Sequence, residues 1–449
     1  MNKPQTPPSF QQIWQEIAKN PERMQRVFTH MTPIWKNRYL HWHTLQYRDP
    51  PQGLTVKDWW AAIKIARNGQ LREIPLKDVH GNPFRFGMPD PALEYLHKVD
   101  QNAGGQIQTF DKDAVNPGAQ EKYLIHSLIE EAITSSQLEG ATATRQVAKE
   151  MIRTQRPPKN KSERMILNNY QTMHLIKEKA NEELSIELIL DLHRRLSEDT
   201  LDDPGAVGRF RNDKEEVRVY DNMAISEIIL HTPPPAEQLK ERIQALCDFA
   251  NGITPPFYIH PVIRSILLHF WLGYDHPFID GNGRCARALF YWSMLRQKYW
   301  LCEYLSISQI LRKAPSKYAR SFLYSESDDN DLTYFILYNL SVLVRAMDEL
   351  HAYITARSSE LRKVDRLLRG TSYNLNHRQI DLLQHALRHQ DAIYTIKGHQ
   401  RANNIVYQTA RTDLLGLERL KLLEKKQRGK ELVFLPSEFL EKKLLKDIP

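Results

Sequence analysis

The chain has 449 residues, too long for one ordinary hydrophobic core, so two or three domains are expected. Its three cysteines, Cys247, Cys285 and Cys302, are odd in number and lack zinc-type spacing, which argues against a disulfide framework and for reduced thiols. The formal net charge of +8 is all carried by the end of the chain: residues 361–449 hold 18 Lys and Arg against 10 Asp and Glu, while residues 1–360 hold 44 of each. A basic terminal module of this kind suits a nucleic-acid partner.

The first thirty residues include Pro4, Pro7, Pro8, Gln11, Gln12 and Gln15 and no continuous apolar stretch, so a signal peptide or anchor is not expected. No later stretch has the length of apolar residues that a membrane span needs, so the expected location is cytoplasmic, with no membrane partner. Residues 1–118 read as an N-terminal helical region. Phe10, Ile13, Trp14 and Ile17 recur at helical spacing, and Trp35, Tyr39, Trp42, Trp59 and Trp60 are its expected core. Its last part, 71–118, is dense in turn signals and reads as loops around short elements.

From residue 119 to about 360 the pattern is of long helices, at 120–138, 142–154, 162–180, 185–198, 235–251, 260–274, 283–298 and 331–350, which describes a helical bundle. One stretch interrupts it. Val217, Val219 and Tyr220 alternate before Asp221-Asn222, and Ile228, Ile229 and Leu230 follow, so 215–232 reads as a short β-hairpin flap. Residues 370–449 change character again: three helices precede a basic hairpin tip, Gln427-Arg428-Gly429-Lys430, and a β-rich run, the pattern of a winged-helix domain. The fold class expected is therefore mainly α, with the flap as the β element of the bundle.

The chemistry concentrates in His276-Pro277-Phe278-Ile279-Asp280-Gly281-Asn282-Gly283-Arg284, a loop that enters a helix between two apolar helical runs. Gly281 and Gly283 flank Asn282 and permit backbone turns that aim successive N–H groups inward, an anion nest at a positive helix end. Arg284 and Arg287 are three apart, on one helix face, and supply forked donors for phosphate oxygens further along a polyphosphate. Asp280 offers a hard oxygen ligand suited to Mg²⁺ shared with phosphate and water. His276, with an ordinary pKa of about 6.5, is placed to take a proton from an incoming hydroxyl.

This segment resembles the signature of the Fic family, His-x-Phe-x-(Asp/Glu)-Gly-Asn-Gly-Arg-x-x-Arg, and meets every specified position. The resemblance runs over roughly 120–350, including Gly208-Arg209-Phe210-Arg211 and the helix starting at His260-Pro261. It implies a Fic-type bundle and a protein adenylyltransferase that moves AMP from Mg-ATP to a Ser, Thr or Tyr hydroxyl of a target protein or of itself. In that family His276 would be the base, Asp280 the metal ligand, and Phe278 a core anchor. Gly281, Asn282, Gly283 and Arg284 would form the phosphate site, and Arg287 would hold the γ-phosphate.

Upstream, Ser135, Glu139 and Gly140 resemble the family's inhibitory helix motif, (Ser/Thr)-x-x-x-Glu-(Gly/Asn). The resemblance implies a bidentate pairing of Glu139 with Arg287 that takes up the donors the γ-phosphate needs. It also implies that Val217, Val219 and Tyr220 of the flap dock an extended target segment by β-addition. Two alternatives remain open at this point: removal of AMP at the same site, and a nucleotide-sensing regulator that acts through a DNA-binding C-terminal domain. Self-association to a homo-oligomer is also left open.

Overall fold

The computed structural model describes residues 3–104, 117–221, 228–369, 373, 375–388, 392–428, 431–437 and 440. They divide into two compact units, Met1–Leu350 and His351–Pro449. Among the described residues no helix is long and apolar enough to cross a membrane.

The first unit opens with α1 (Phe10–Ile17), α2 (Pro21–Thr29), α3 (Trp42–Leu45) and α4 (Val56–Asn68). A reciprocal cap starts α4, with the Thr55 hydroxyl accepting from the Asp58 N–H and the Asp58 carboxylate from the Thr55 N–H. Trp59 and Trp60 are buried in a local core with Ile13, Ile17 and Val27, and Trp35 and Trp42 pack against it, as the helical spacing predicts. Buried polar contacts tie this region to residues 328–334: Lys64 Nζ lies 2.8 Å from Asp328 Oδ1, and Arg67 Nη1 donates to Tyr334 Oη at 2.7 Å.

Residues 71–118 contain the short elements expected between loops. β1 (Arg72–Lys77) pairs antiparallel with β2 (Pro83–Phe86), and α5 (Asp90–Val99) follows. Ile74 and Leu76 alternate inward on one side of the turn and Phe84 and Phe86 on the other, which makes a hairpin. Asp78 Oδ1 closes that turn by accepting from the His80 and Asn82 N–H groups.

The bundle proper comprises α6 (Pro117–Leu138), α7 (Arg145–Thr154), α8 (Lys161–Glu178) and α9 (Ile186–Ser197). The strands β3 (Val219–Tyr220) and β4 (Ile229–His231) come next, then α10 (Leu239–Ala250), α11 (Pro261–Asp275) and α12 (Asn282–Arg296). Two helices absent from the sequence reading follow, α13 (Ile307–Lys313) and α14 (Pro315–Ser327), before α15 (Thr333–Arg369). α14 buries Leu323 and packs Tyr318 and Phe322 against the core.

α11 and α12 are the centre of the bundle. Nearly every side chain of both is buried, including Phe270, Trp271, Leu289, Phe290 and Trp292, the pattern of helices surrounded on all sides. The six-residue connection between them therefore emerges from the most rigid part of the unit, which is where a site needing fixed geometry belongs.

The second unit holds α16 (His377–Arg388), β5 (Tyr394–Thr395), α17 (Ile396–Asn403), α18 (Tyr407–Arg419), β6 (Leu423–Arg428) and β7 (Glu431–Pro436). Its sheet has the order β5-β7-β6, antiparallel throughout, over a separate core of Leu383, Ala386, Ala410, Leu414, Leu417 and Phe434. Gly429 and Lys430, at the hairpin tip, lie outside the described residues.

Candidate active site

His276 ends α11 in a left-handed conformation, φ 45°, with its N–H on the Leu272 carbonyl at 3.0 Å. Its Nδ1 lies 3.2 Å from the Gly273 carbonyl, an acceptor, so the ring's proton belongs on Nδ1 and Nε2 presents a lone pair. Burial pushes its pKa down to about 4 against the opposing pull of that carbonyl. The imidazole is therefore neutral near pH 7, as a general base must be.

Three groups hold the loop that follows. Asn282 spends its whole side-chain amide on Phe278, accepting from the Phe278 N–H at 2.9 Å and donating to the Phe278 carbonyl at 2.8 Å. Its side chain closes the loop, and only its backbone faces a ligand at the helix end. Arg211 grips the loop from outside, its N–H on the Pro277 carbonyl and its Nε on the His276 carbonyl, both at 2.9 Å. His193, on α9, stacks on Phe278 with ring centroids 3.8 Å apart and planes 2° from parallel. The Gly208 N–H donates to His193 Nδ1 at 3.0 Å, so Nε2 carries the proton it gives to the Asp280 carbonyl, also at 3.0 Å. Burial pushes this ring's pKa down to about 4, which keeps it in that neutral form.

Gly281 caps α12 with φ 83°, a conformation that favours glycine, and no side chain caps the helix. The first N–H groups of α12 are thus left for a ligand. Gly283 corrects the sequence reading, since it is helical and its backbone does not need glycine. A Cβ there would come within 2.2 Å of Glu139 Oε1, so space, not torsion, demands the small residue.

Arg284 is buried. Its Nη1 donates to the Leu196 carbonyl at 2.8 Å, but Nε and Nη2 find no hydrogen-bond partner among the described residues. The nearest acid is Asp280, whose Oδ2 is 3.7 Å from Nη2 and whose Oδ1 accepts from the Gly281 N–H. Buried donors without acceptors are costly, and a guanidinium held this way is matched to an anion that enters from outside. Among the described residues no three His, Cys, Asp or Glu side chains converge as a metal cage. A cation at Asp280 would take its other ligands from water and the bound anion, the coordination that Mg²⁺ favours.

Arg287 meets the end of α6. Its Nη2 donates to Glu139 Oε1 at 2.8 Å and to the Ser135 carbonyl at 3.0 Å, while Nε donates to Ser135 Oγ at 2.8 Å. The expected pair forms, but through one carboxylate oxygen. Ser135 occupies the Nε donor and so closes the Nε–Nη2 fork to the carboxylate. Burial would raise the Glu139 pKa, but Arg287, with help from Arg284, holds it below the ordinary range. The chain turns sharply after Glu139: the Gly140 N–H reaches the Gln137 carbonyl and the Ala141 N–H the Ser136 carbonyl, with Gly140 at φ 93°. Deeper in α6, buried Glu131 accepts from Ser306 Oγ and the Ser308 N–H at 2.9 and 3.0 Å, anchoring the helix.

The flap is shorter than expected. Val219 pairs with His231 and Tyr220 with Ile229, while Val217 lies outside the strand. The flap tip, 222–227, is outside the described residues. His231 fastens the flap's return strand, with Nδ1 2.8 Å from Glu326 Oε2 and Nε2 2.7 Å from the Tyr274 carbonyl, two residues before His276. Both partners are acceptors, and although burial works to lower the His231 pKa, Glu326 raises it overall.

The structure thus brings His276, Asp280, Gly281, Asn282, Gly283, Arg284, Arg287, Ser135, Glu139 and Gly140 to one place. Sequence reasoning missed His193, Arg211 and His231 as members of the site. Arg211 was visible as part of Gly208-Arg209-Phe210-Arg211, but nothing in the sequence pointed to the two histidines.

A neutral histidine, an uncapped helix end and buried arginine donors without hydrogen-bond partners among the described residues thus meet in one helical bundle. Residues 183–294 match the Fic/DOC family model. Over 109 residues it is 35% identical to Protein adenylyltransferase Fic of Nematostella vectensis, an alignment covering 24% of this chain and 22% of that protein. It is 32% identical over 121 residues to Protein adenylyltransferase fic-1 of Caenorhabditis elegans, covering 27% and 21%. The chain therefore spans about a fifth of the length of these relatives. The fold also matches a Fic family protein from Desulfovibrio desulfuricans G20, with a TM-score of 0.53 at 18% identity, over 78% of this chain and 97% of that one.

Proposed function

We propose that this protein transfers AMP from Mg-ATP to a Ser, Thr or Tyr hydroxyl, on a target protein or on itself. The observation that carries the reading is the buried Arg284 guanidinium, whose Nε and Nη2 have no hydrogen-bond partner among the described residues beside the open end of α12. In this reading the polyphosphate lies along the first N–H groups of Asn282, Gly283 and Arg284, and Arg287 holds the γ-phosphate. His276 Nε2 takes the proton of the incoming hydroxyl as its oxygen bonds to the α-phosphorus. The bond from that phosphorus to the β-phosphate bridging oxygen breaks, and pyrophosphate leaves. Asp280 would hold Mg²⁺, which offsets polyphosphate charge. His193 and Arg211 keep the loop rigid so that base and phosphorus stay aligned.

The contact of Glu139 with Arg287 supports a built-in brake, since the γ-phosphate must displace that carboxylate. Further proposals rest on the sequence: Val217, Val219 and Tyr220 as a docking edge, a cytoplasmic location, homo-oligomers, and DNA as the partner of a winged helix within 370–449. The division into 1–118, 119–360 and 370–449 is kept as a functional one.

Intact-mass spectrometry after incubation with each nucleoside triphosphate and Mg²⁺ tests the reading. Glu139→Gly should gain the mass of AMP from ATP, and Glu139→Gly combined with His276→Ala should not. Equal adduct on both proteins would remove His276 from the reaction, and no adduct with any nucleotide on self or on lysate proteins would overturn the transfer itself.

A further inference from the structure

The second unit carries a surface with no place in the transfer chemistry. α17 and α18 are joined by only Asn404, Ile405 and Val406, with Asn404 left-handed at φ 50°, the short turn of a helix-turn-helix. One buried carboxylate sets their angle: Asp413 on α18 accepts from Asn376 Nδ2 and Arg378 Nε at 2.8 Å and lies 3.2 Å from His399 Nε2 on α17. α18 buries Ala410, Asp413, Leu414 and Leu417 and turns Tyr407, Gln408, Arg411 and Thr412 outward. On β6, the edge strand of the sheet, side chains 424–427 are all exposed after the buried Leu423, while Phe434 and Val433, their partners opposite Lys425 and Lys426 on β7, are buried.

The charge on this surface is one-sided. Within 392–427 the exposed cations are Lys397, Arg401, Arg411, Arg419, Lys421, Lys425 and Lys426, and the exposed acid is Glu424. Of the other two acids, Asp413 is buried and Glu418 lies 3.6 Å from Lys425. A helix with an outward Gln and Arg one turn apart has the groups that read adenine and guanine edges in a major groove. An exposed basic edge strand beside it has the groups that hold phosphates.

We propose that this unit binds duplex DNA, with α18 in the major groove, Gln408 and Arg411 at base edges, and Lys425 and Lys426 of the hairpin on the backbone. The inference sharpens the DNA partnership proposed above and is independent of the AMP-transfer reading. B-form DNA is the duplex that fits, because the deep, narrow major groove of A-form RNA does not admit a helix.

The test uses the full chain and fluorescence anisotropy on a labelled random-sequence DNA duplex and an RNA duplex of the same length, titrated over a salt series. Wild type should bind the DNA, prefer it to the RNA, and weaken steeply with salt. Lys425→Ala with Lys426→Ala should flatten the logarithmic salt slope by about 2, at roughly 0.9 per lost phosphate contact. Arg411→Ala should relax, at the position it reads, the sequence preference selected from a random pool by wild type and lower affinity for the selected site about tenfold, leaving the slope nearly unchanged. Circular dichroism melting establishes that each variant is folded. No DNA binding at low salt, equal binding of the RNA duplex, or wild-type behaviour in folded variants would each overturn the proposal. AMP transfer by the same preparations should be unaffected, so a failure of the DNA reading and a failure of the enzyme reading give different results.

Discussion

Glu139→Gly isolates one contact. Arg287 keeps both Ser135 oxygens whether or not the carboxylate is present, so only the Nη2 bond to Glu139 Oε1, at 2.8 Å, is at stake. A hydrogen bond to a charged group contributes a net ~1.5–3 kcal/mol. At about 1.4 kcal/mol per decade, freeing that donor for the γ-phosphate should raise self-modification about 10- to 100-fold. The fold should tolerate the change, because Arg287 is not stranded and position 139 lies just past the last residue of α6. The assay is adduct formation by mass spectrometry under Mg-ATP for wild type, Glu139→Gly, Arg287→Ala and the double variant. If the two side chains act on each other, Glu139→Gly should gain little in the Arg287→Ala background. A folded Glu139→Gly protein that binds ATP and modifies itself no faster than wild type would refute the brake.

Four further outcomes are expected. His276→Ala should keep ATP affinity, measured calorimetrically, and lose transfer. In Glu139→Gly, transfer should stay level as pH falls from about 7 to about 5, because burial holds His276 neutral down to about 4 and an unperturbed base would titrate at about 6.5; a steep loss across that range would contradict the assignment. Arg284→Met should lose nucleotide binding and melt no lower than wild type, since it exchanges a buried, half-satisfied cation for apolar volume; a large drop in Tm would show that the guanidinium stabilises the resting fold. His269 is buried, and that burial, with Arg287 adding to it, pushes its pKa down to about 3. Its stabilising contribution is full above the unfolded value of about 6.5 and falls as pH drops toward 3, by about 2 kcal/mol at about pH 5. His269→Gln should therefore show a flatter dependence of Tm on pH than wild type between about pH 7 and pH 5.

The motif from His276 to Arg287 was legible because its members are contiguous, and contiguity across a loop and one helix turn is enough to bring them together. Ser135 and Glu139 were legible only through resemblance, since nothing local to α6 indicates that its end meets Arg287. His193 and Arg211 act across 87 and 65 residues of chain, on the Asp280 and His276 carbonyls, and backbone acceptors leave no sequence trace. Gly283 was read as a backbone requirement, whereas the constraint is the approach of another helix. The short element α5 had no stated bounds in the sequence because Pro89 and Pro91 look like breakers, yet Pro91 falls within the first turn of the helix, where proline is tolerated.

The direction of α6 has a consequence for how a brake of this kind lets go. Glu139 sits at the C-terminal end of its own helix, where the aligned peptide dipoles present partial negative charge. Its own helix therefore repels the carboxylate, and the attraction comes from the far side of the contact, from Arg287 and the N-terminal end of α12. Under the proposed function, an arriving polyphosphate would take over that attraction and add its own repulsion, and the parent helix would then expel the acid once its counter-charges are claimed. Release would then need no lever acting on α6, whose deeper turns can stay anchored through Glu131 while the final turn frays.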